Sequence, residues 1–156
     1  MINIGCHLSV SKGYEAMGNK MLEFGGDTFA FFLRNPRGGS IKDLDKNDMD
    51  KLLKIMKENS FGKLVAHAPY TMNPCAEKPE LRKYAFDTMQ EDIERMGYLP
   101  GNFYNFHPGS HVGQGAEEGI RLTSDMLERI LDVKPKENTT QILIETMSGK
   151  GSEIGR

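Results

Sequence analysis

Five short runs rich in Ile, Val, Phe and Leu recur along the chain, at residues 2–7, 27–33, 63–67, 102–106 and 141–145. Runs of this length and composition, set off by polar and glycine-containing stretches, predict buried strands. Between them the apolar residues change to three- and four-residue spacing, which predicts helices. Residues 48–59 align Met49, Leu52, Leu53 and Met56 on one face. Residues 80–96 align Leu81, Tyr84, Ala85, Thr88, Met89 and Ile93, with Pro79 at a plausible first turn and Gly97 as a stop. Residues 116–131 carry Ile120, Met126, Leu127, Ile130 and Leu131, and Pro135 lies just beyond. The segment 12–24 has the weakest stripe, because Gly13 and Gly18 interrupt it.

Strict alternation of strand and helix implies an α/β fold with parallel strands and right-handed crossovers. The strands recur about every 35 residues, and two architectures fit that period. A flavodoxin-like open sheet of five strands uses the whole length. An eight-unit (β/α)₈ barrel needs about 280 residues, so this chain would supply about five strands and four helices of it. No linker or low-complexity tract divides residues 1–156, which predicts one domain or part of one.

Composition narrows the classes. The 156 residues include 38% hydrophobic and 27% charged side chains, enough for a core. The formal charge of −2 excludes a polybasic coat, though not a site that meets phosphate through metal and a few arginines. Two cysteines, Cys6 and Cys75, share no metal or redox spacing and read as passive thiols. The N-terminus shows no leader pattern and no stretch is long enough for a membrane span, so a cytoplasmic protein with no membrane partner is expected.

Three predicted strands end on metal-capable side chains, His67, His107 and Glu145, spaced one βα unit apart, and His7 closes the first strand. Parallel strands place all these ends on one rim, where α/β active sites form. Two imidazoles and a carboxylate suit Zn²⁺ and leave a coordination position open. The pattern is equally compatible with hydrogen-bonded loop residues. His111, four residues past His107, reads either as a partner standing behind the ligands or as an exposed loop residue. The loop RNPRGGS offers Arg34, Asn35 and Arg37 to phosphate or to solvent, and Tyr70 fits a base-stacking or a packing role. The glycine patterns GQGAEEG and GKGSEIG match neither nucleotide fingerprint and read as turns leading into helices. The mixed charges of residues 42–51 read as a solvated face.

The motifs IGCHLS (4–9), FFLRNPR (31–37), HAPY (67–70), NFHPGSH (105–111) and IETMSGKGSEIG (144–155) together resemble endonuclease IV, the zinc-dependent apurinic/apyrimidinic endonuclease family. The resemblance runs in order through essentially the whole chain. It implies a (β/α)₈ TIM barrel with three zinc ions at its C-terminal rim. It also implies hydrolysis of the DNA phosphodiester 5′ to an abasic site by zinc-activated hydroxide, leaving a 3′-hydroxyl. By motif, His67, His107 and Glu145 match zinc ligands, with Glu145 the carboxylate that bridges two ions and the catalytic residue. Arg37 and Tyr70 match positions that approach double-stranded DNA at the abasic site. His7 and His111 match no ligand and are expected to stand behind the cluster. The family's later ligands come from strands six to eight, so residues 1–156 are expected to be an N-terminal portion with at most one full zinc-ligand set. Five strands of an open barrel leave two unpaired edges, and self-association is expected. The alternatives are a metal-dependent sugar isomerase or epimerase on a related barrel, and a non-catalytic metal- or DNA-binding fragment.

Overall fold

Each predicted run becomes a strand, shortened in each case, with β1 running one residue past His7, in a computed structural model that describes residues 2–39 and 41–156. Met1 and Ser40 lie outside the described residues, as do the parts of the N-terminal and RNPRGGS readings that fall on them. The order is β1 (Gly5–Leu8), a 3₁₀ turn (Val10–Lys12), α1 (Tyr14–Glu23), β2 (Thr28–Phe32), α2 (Lys46–Glu58) and β3 (Val65–His67). Then follow α3 (Pro79–Met96), β4 (Phe103–Phe106), α4 (Ala116–Val133) and β5 (Gln141–Ile144).

The strands form one parallel sheet in the order β1-β2-β3-β4-β5. That order decides between the two architectures. A flavodoxin-like sheet inserts β1 between β2 and β3, whereas strands that pair in chain order form the wall of a (β/α)₈ barrel. Along each central strand, alternate residues face the helices and are buried: Phe29 and Phe31, Ala66, then Tyr104 and Phe106. Met17, Met21, Met49, Leu52, Met89, Ile93 and Met126 meet them from the helices. Methionine's flexible thioether fills the irregular gaps between helix and sheet. The residues between them, Ala30, Phe32, Val65, His67, Phe103 and Asn105, share the opposite face and are half-buried.

Several boundaries differ from expectation for local reasons. Helix α1 starts at Tyr14 because the Asp48 carboxylate accepts hydrogen bonds from the backbone N–H of Tyr14 (2.5 Å) and Glu15 (2.9 Å). Asp45 likewise caps α2 by accepting from Asp48 N–H at 3.0 Å. The charged run 42–51 therefore includes two capping carboxylates and is not simply a solvated face. Gly18 weakens the helical pattern yet serves the packing: a Cβ there would sit 2.9 Å from Leu52 Cδ1, so α1 approaches α2 only through glycine. Ile2 and Ile4 fall outside β1 and are exposed, and Leu81, Ile120 and Leu131 turn away from the core. Ile120 and Leu131 sit on the flank of α4, and no further helix covers that flank among the described residues.

Arg34 corrects the sequence reading most plainly. It is neither solvated nor free for phosphate, being only 7% exposed. Its guanidinium donates to Asp92 Oδ1 from Nε (3.0 Å) and Nη2 (2.6 Å), and from Nη2 to Glu91 Oε2 (2.9 Å). Tyr104 donates its hydroxyl to the other Asp92 oxygen at 2.8 Å. The network ties the loop after β2 to α3 and β4, with both carboxylate oxygens of the buried Asp92 occupied. Replacing Asp92 by Ala strands the guanidinium, and the expected loss is about 3–5 kcal/mol. Tyr104→Phe removes one charge-assisted bond and should cost roughly 1.5–3 kcal/mol. Urea denaturation should rank the variants in that order; an Asp92→Ala midpoint equal to that of the unsubstituted chain would contradict the network.

Candidate metal centre

Three strand ends converge at the C-terminal rim. His67 is the last residue of β3, His107 follows β4 and Glu145 follows β5. Their ligand atoms all lie within 4.8 Å of one another. His67 Nε2 stands 2.9 Å from Glu145 Oε2, and His107 Nε2 stands 3.5 Å from the same oxygen. The two imidazoles meet edge to face at 5.1 Å between ring centres. Backbone pairing sets this up: Glu145 N–H donates to Phe106 O at 3.0 Å, extending the β4–β5 ladder one residue past the strand.

The donor set fits a cation. His67 Nδ1 lies 2.7 Å from the carbonyl oxygen of Ala68, while Nε2 faces the carboxylate. Both partners are acceptors, and a neutral imidazole carries a single N–H. With that hydrogen on Nδ1, held by the backbone, the Nε2 lone pair points at Oε2, and a cation between them satisfies both atoms. A tetrahedral ion with bonds near 2.0–2.1 Å needs ligand atoms roughly 3.3 Å apart, a value that the two imidazole–carboxylate separations of 2.9 and 3.5 Å bracket.

Asn105 is a site residue that the sequence reading missed. Its Nδ2 donates to Glu145 Oε2 at 2.5 Å. The period-two rule could have found it, since Asn105 precedes His107 by two and pairs with His67 across the sheet. Phe32, in register with His67, was missed for want of polar chemistry; its ring packs 5.1 Å from His67 and 4.7 Å from His7. His7 thus stands one ring behind His67, and burial followed by the nearby His67 charge lowers its pKa. Tyr70 is 62% exposed and covers the pair, with ring centres 5.7 Å from His67 and 5.6 Å from His107.

Two candidates lie apart from the trio. Arg37 is exposed on the loop after β2, its N–H bound to Asn35 Oδ1 at 2.9 Å. That loop reaches the β3 side through Tyr70 N–H, which donates to Pro36 O at 2.8 Å. His111 lies on the loop before α4, its Nδ1 accepting from the N–H of the N-cap residue Gly115 at 3.2 Å. GQGAEEG is a turn into α4, with Gly115 as the N-cap. GKGSEIG folds back through a bridge between Ser110 and Glu153. Cys6 is exposed at the β1 edge, and burial pushes the Cys75 thiol pKa up, which keeps that thiol protonated and passive.

A family model described as xylose isomerase-like TIM barrel matches residues 19–156. The chain belongs to that family. Among curated relatives, the probable endonuclease 4 of Clostridium beijerinckii is 54% identical over 156 residues, covering all of this chain and 55% of the relative. The probable endonuclease 4 of Akkermansia muciniphila is 55% identical over 153 residues, covering 98% of this chain and 54% of the relative. The chain therefore spans about half the length of the curated relatives it matches. Endonuclease IV from Thermus thermophilus superposes with a TM-score of 0.78 at 25% identity, over 99% of this chain and 55% of that one. The endonuclease IV resemblance carried by the motifs is borne out by these matches. D-psicose 3-epimerase from Clostridium cellulolyticum superposes with a TM-score of 0.64 at 11% identity, which shows the shared fold alone.

In this xylose isomerase-like barrel the carboxylate at the rim is held ionised. Burial works to raise the Glu145 pKa, but hydrogen bonds from His67 and Asn105, then the fields of His107 and His67, outweigh it and leave the pKa below its ordinary value. A depressed folded-state pKa stabilises the fold above the unfolded value of about 4.3, and the contribution is lost as pH falls through the folded value. Carboxyl-carbon NMR titration of the metal-free chain should place the Glu145 midpoint below about 4.3. Asn105→Leu should raise that midpoint; no change in the variant would contradict the Asn105 contact.

Proposed function

We propose that residues 1–156 form the N-terminal portion of a TIM-barrel DNA-repair endonuclease that hydrolyses the phosphodiester 5′ to abasic sites in double-stranded DNA. The observation that carries this reading is the convergence of His67, His107 and Glu145 on one point of the rim, in a chain 54% identical to a relative named probable endonuclease 4. His67 and His107 would hold one zinc ion through imidazole nitrogens and Glu145 through a carboxylate oxygen. Zinc held there would supply an acidified water and charge neutralisation at the scissile phosphate. Glu145 is the catalytic carboxylate; Asn105 fixes the oxygen it presents, and the Ala68 carbonyl fixes the His67 ring.

The surrounding residues divide the DNA contacts. Tyr70, exposed above the two imidazoles, is placed to pack against the abasic nucleotide, which has no base to unstack and leaves the helix at low cost. Arg37, exposed on the adjoining loop, offers a guanidinium to backbone phosphate. His7, behind Phe32, and His111, on the loop before α4, shape the rim without binding metal. The overall charge of −2 is compatible with this substrate because a bound cation and Arg37 would meet the phosphate locally. No helix among the described residues is long and apolar enough to cross a membrane, and we read the protein as cytoplasmic.

Metal analysis after dialysis should find about one zinc per chain, and almost none in a His67→Ala/His107→Ala double variant; equal zinc in both would overturn the ligand assignment. Incision of a duplex with a single abasic site should appear when the chain is supplied with the C-terminal half of a relative, with the cut 5′ to the lesion. Turnover of a ketose without incision would favour the epimerase reading instead. The edges β1 and β5, with Leu143 and Ile144 exposed, should drive self-association at high concentration. Light scattering that reports monomer throughout would contradict this.

A further inference from the structure

We infer that Asn73 is a positioning residue for the metal centre, acting through the backbone of Ser110 on the loop that carries His107. The inference rests on the zinc reading above and adds to it a residue from a loop without ligands of its own beyond His67. The Asn73 carboxamide meets both backbone groups of Ser110: Nδ2 donates to Ser110 O at 3.0 Å, and Oδ1 accepts from Ser110 N–H at 3.1 Å. This is the two-way pairing of an antiparallel strand, supplied by a side chain. Ser110 is bridged on its other side to Glu153, in the segment that continues from Glu145.

The surrounding turn is fully engaged. Pro108 O accepts from the Thr123 hydroxyl at 3.0 Å, Gly109 O from Ile154 N–H at 3.0 Å, and His111 O from Gln114 N–H at 3.1 Å. His111 N–H donates to Ser152 O at 3.0 Å. Gly109 is required at this point, with φ +103° and with Asn73 Oδ1 only 2.3 Å from where a Cβ would stand. Asn73 therefore presses directly on the turn that follows His107. It joins the loop that follows His67 to the one bearing His107, while the Ser110–Glu153 bridge joins the latter to the segment that continues from Glu145. Three side chains at three strand ends are in this way held to one spacing.

The experiment compares Asn73→Ala and Asn73→Asp with the unsubstituted chain, using Zn²⁺ alone in chelator competition and amide hydrogen exchange on the metal-free protein. Asn73→Ala should weaken zinc affinity by about 10–100-fold and speed Ser110 amide exchange roughly tenfold, with exchange in β2 and β3 unchanged. Asn73→Asp keeps the acceptor for the Ser110 amide and loses the donor, so its zinc affinity should be intermediate. Asn138→Ala, which breaks the 2.7 Å bond from Asn138 Nδ2 to Ile93 O at the end of the sheet where β5 begins, supplies the stability control and should keep the original affinity. Unchanged zinc affinity or unchanged Ser110 exchange in Asn73→Ala would overturn the proposal. If the unsubstituted chain takes up no zinc, the metal reading itself fails, and the exchange result alone decides whether Asn73 holds the Ser110 loop.

Discussion

The register between β3 and β4, which sets His67 opposite Asn105, is the constraint on which the rest depends. Strand side chains alternate faces with a period of two, so a slip of one residue would carry His67 into the helix layer and Ala66 out of it. The same slip would remove Asn105 from Glu145 and put the aromatic ring of Tyr104 where the carboxamide now stands. Burial enforces the register: Phe31, Ala66 and Tyr104 are all wholly inaccessible. The hydrophobic effect on one face thus fixes the chemistry on the other, although no apolar residue of the helix layer touches a ligand atom.

The helix-facing side also contains polar residues, and they follow a different rule from those at the rim. Asp92 has no exposure and both its oxygens are occupied, by Arg34 and by Tyr104. Such a group is tolerated because each polar atom has a partner. At the rim, by contrast, His67 presents both nitrogens to acceptors and Glu145 gathers several donors on one oxygen. The first arrangement is closed by the protein itself. The second leaves acceptor facing acceptor, and under the function proposed above a cation would close it.

Short-range pattern made most of this legible in the sequence. The alternation of strands and helices came from apolar periodicity, and the rim candidates His67, His107 and Glu145 from their place at strand ends. What the sequence hid was partnership over distance. Arg34 looked like a loop arginine because Asp92 lies 58 positions away on α3. Asp48 looked like one more surface charge, although its carboxylate ends α1 across 34 positions. Asn73 and Asn105 were silent for another reason: carboxamides carry no charge and appear in turns and strands for many purposes, so only their hydrogen bonds reveal what they hold. Ile120 and Leu131 obeyed the helical stripe but found no layer to bury them.

The chain-order pairing of the strands bears on how the molecule comes into being. Among the described residues, each of β2 to β5 hydrogen-bonds to the strand made just before it. During translation each βα unit that clears the ribosome meets a finished neighbour, with a growing hydrophobic layer already in place. The wall can therefore rise in one direction as synthesis proceeds. Glu145 and the bridge to Glu153 are made after the strands that carry His67 and His107, so these side chains meet only once the scaffold that spaces them has formed.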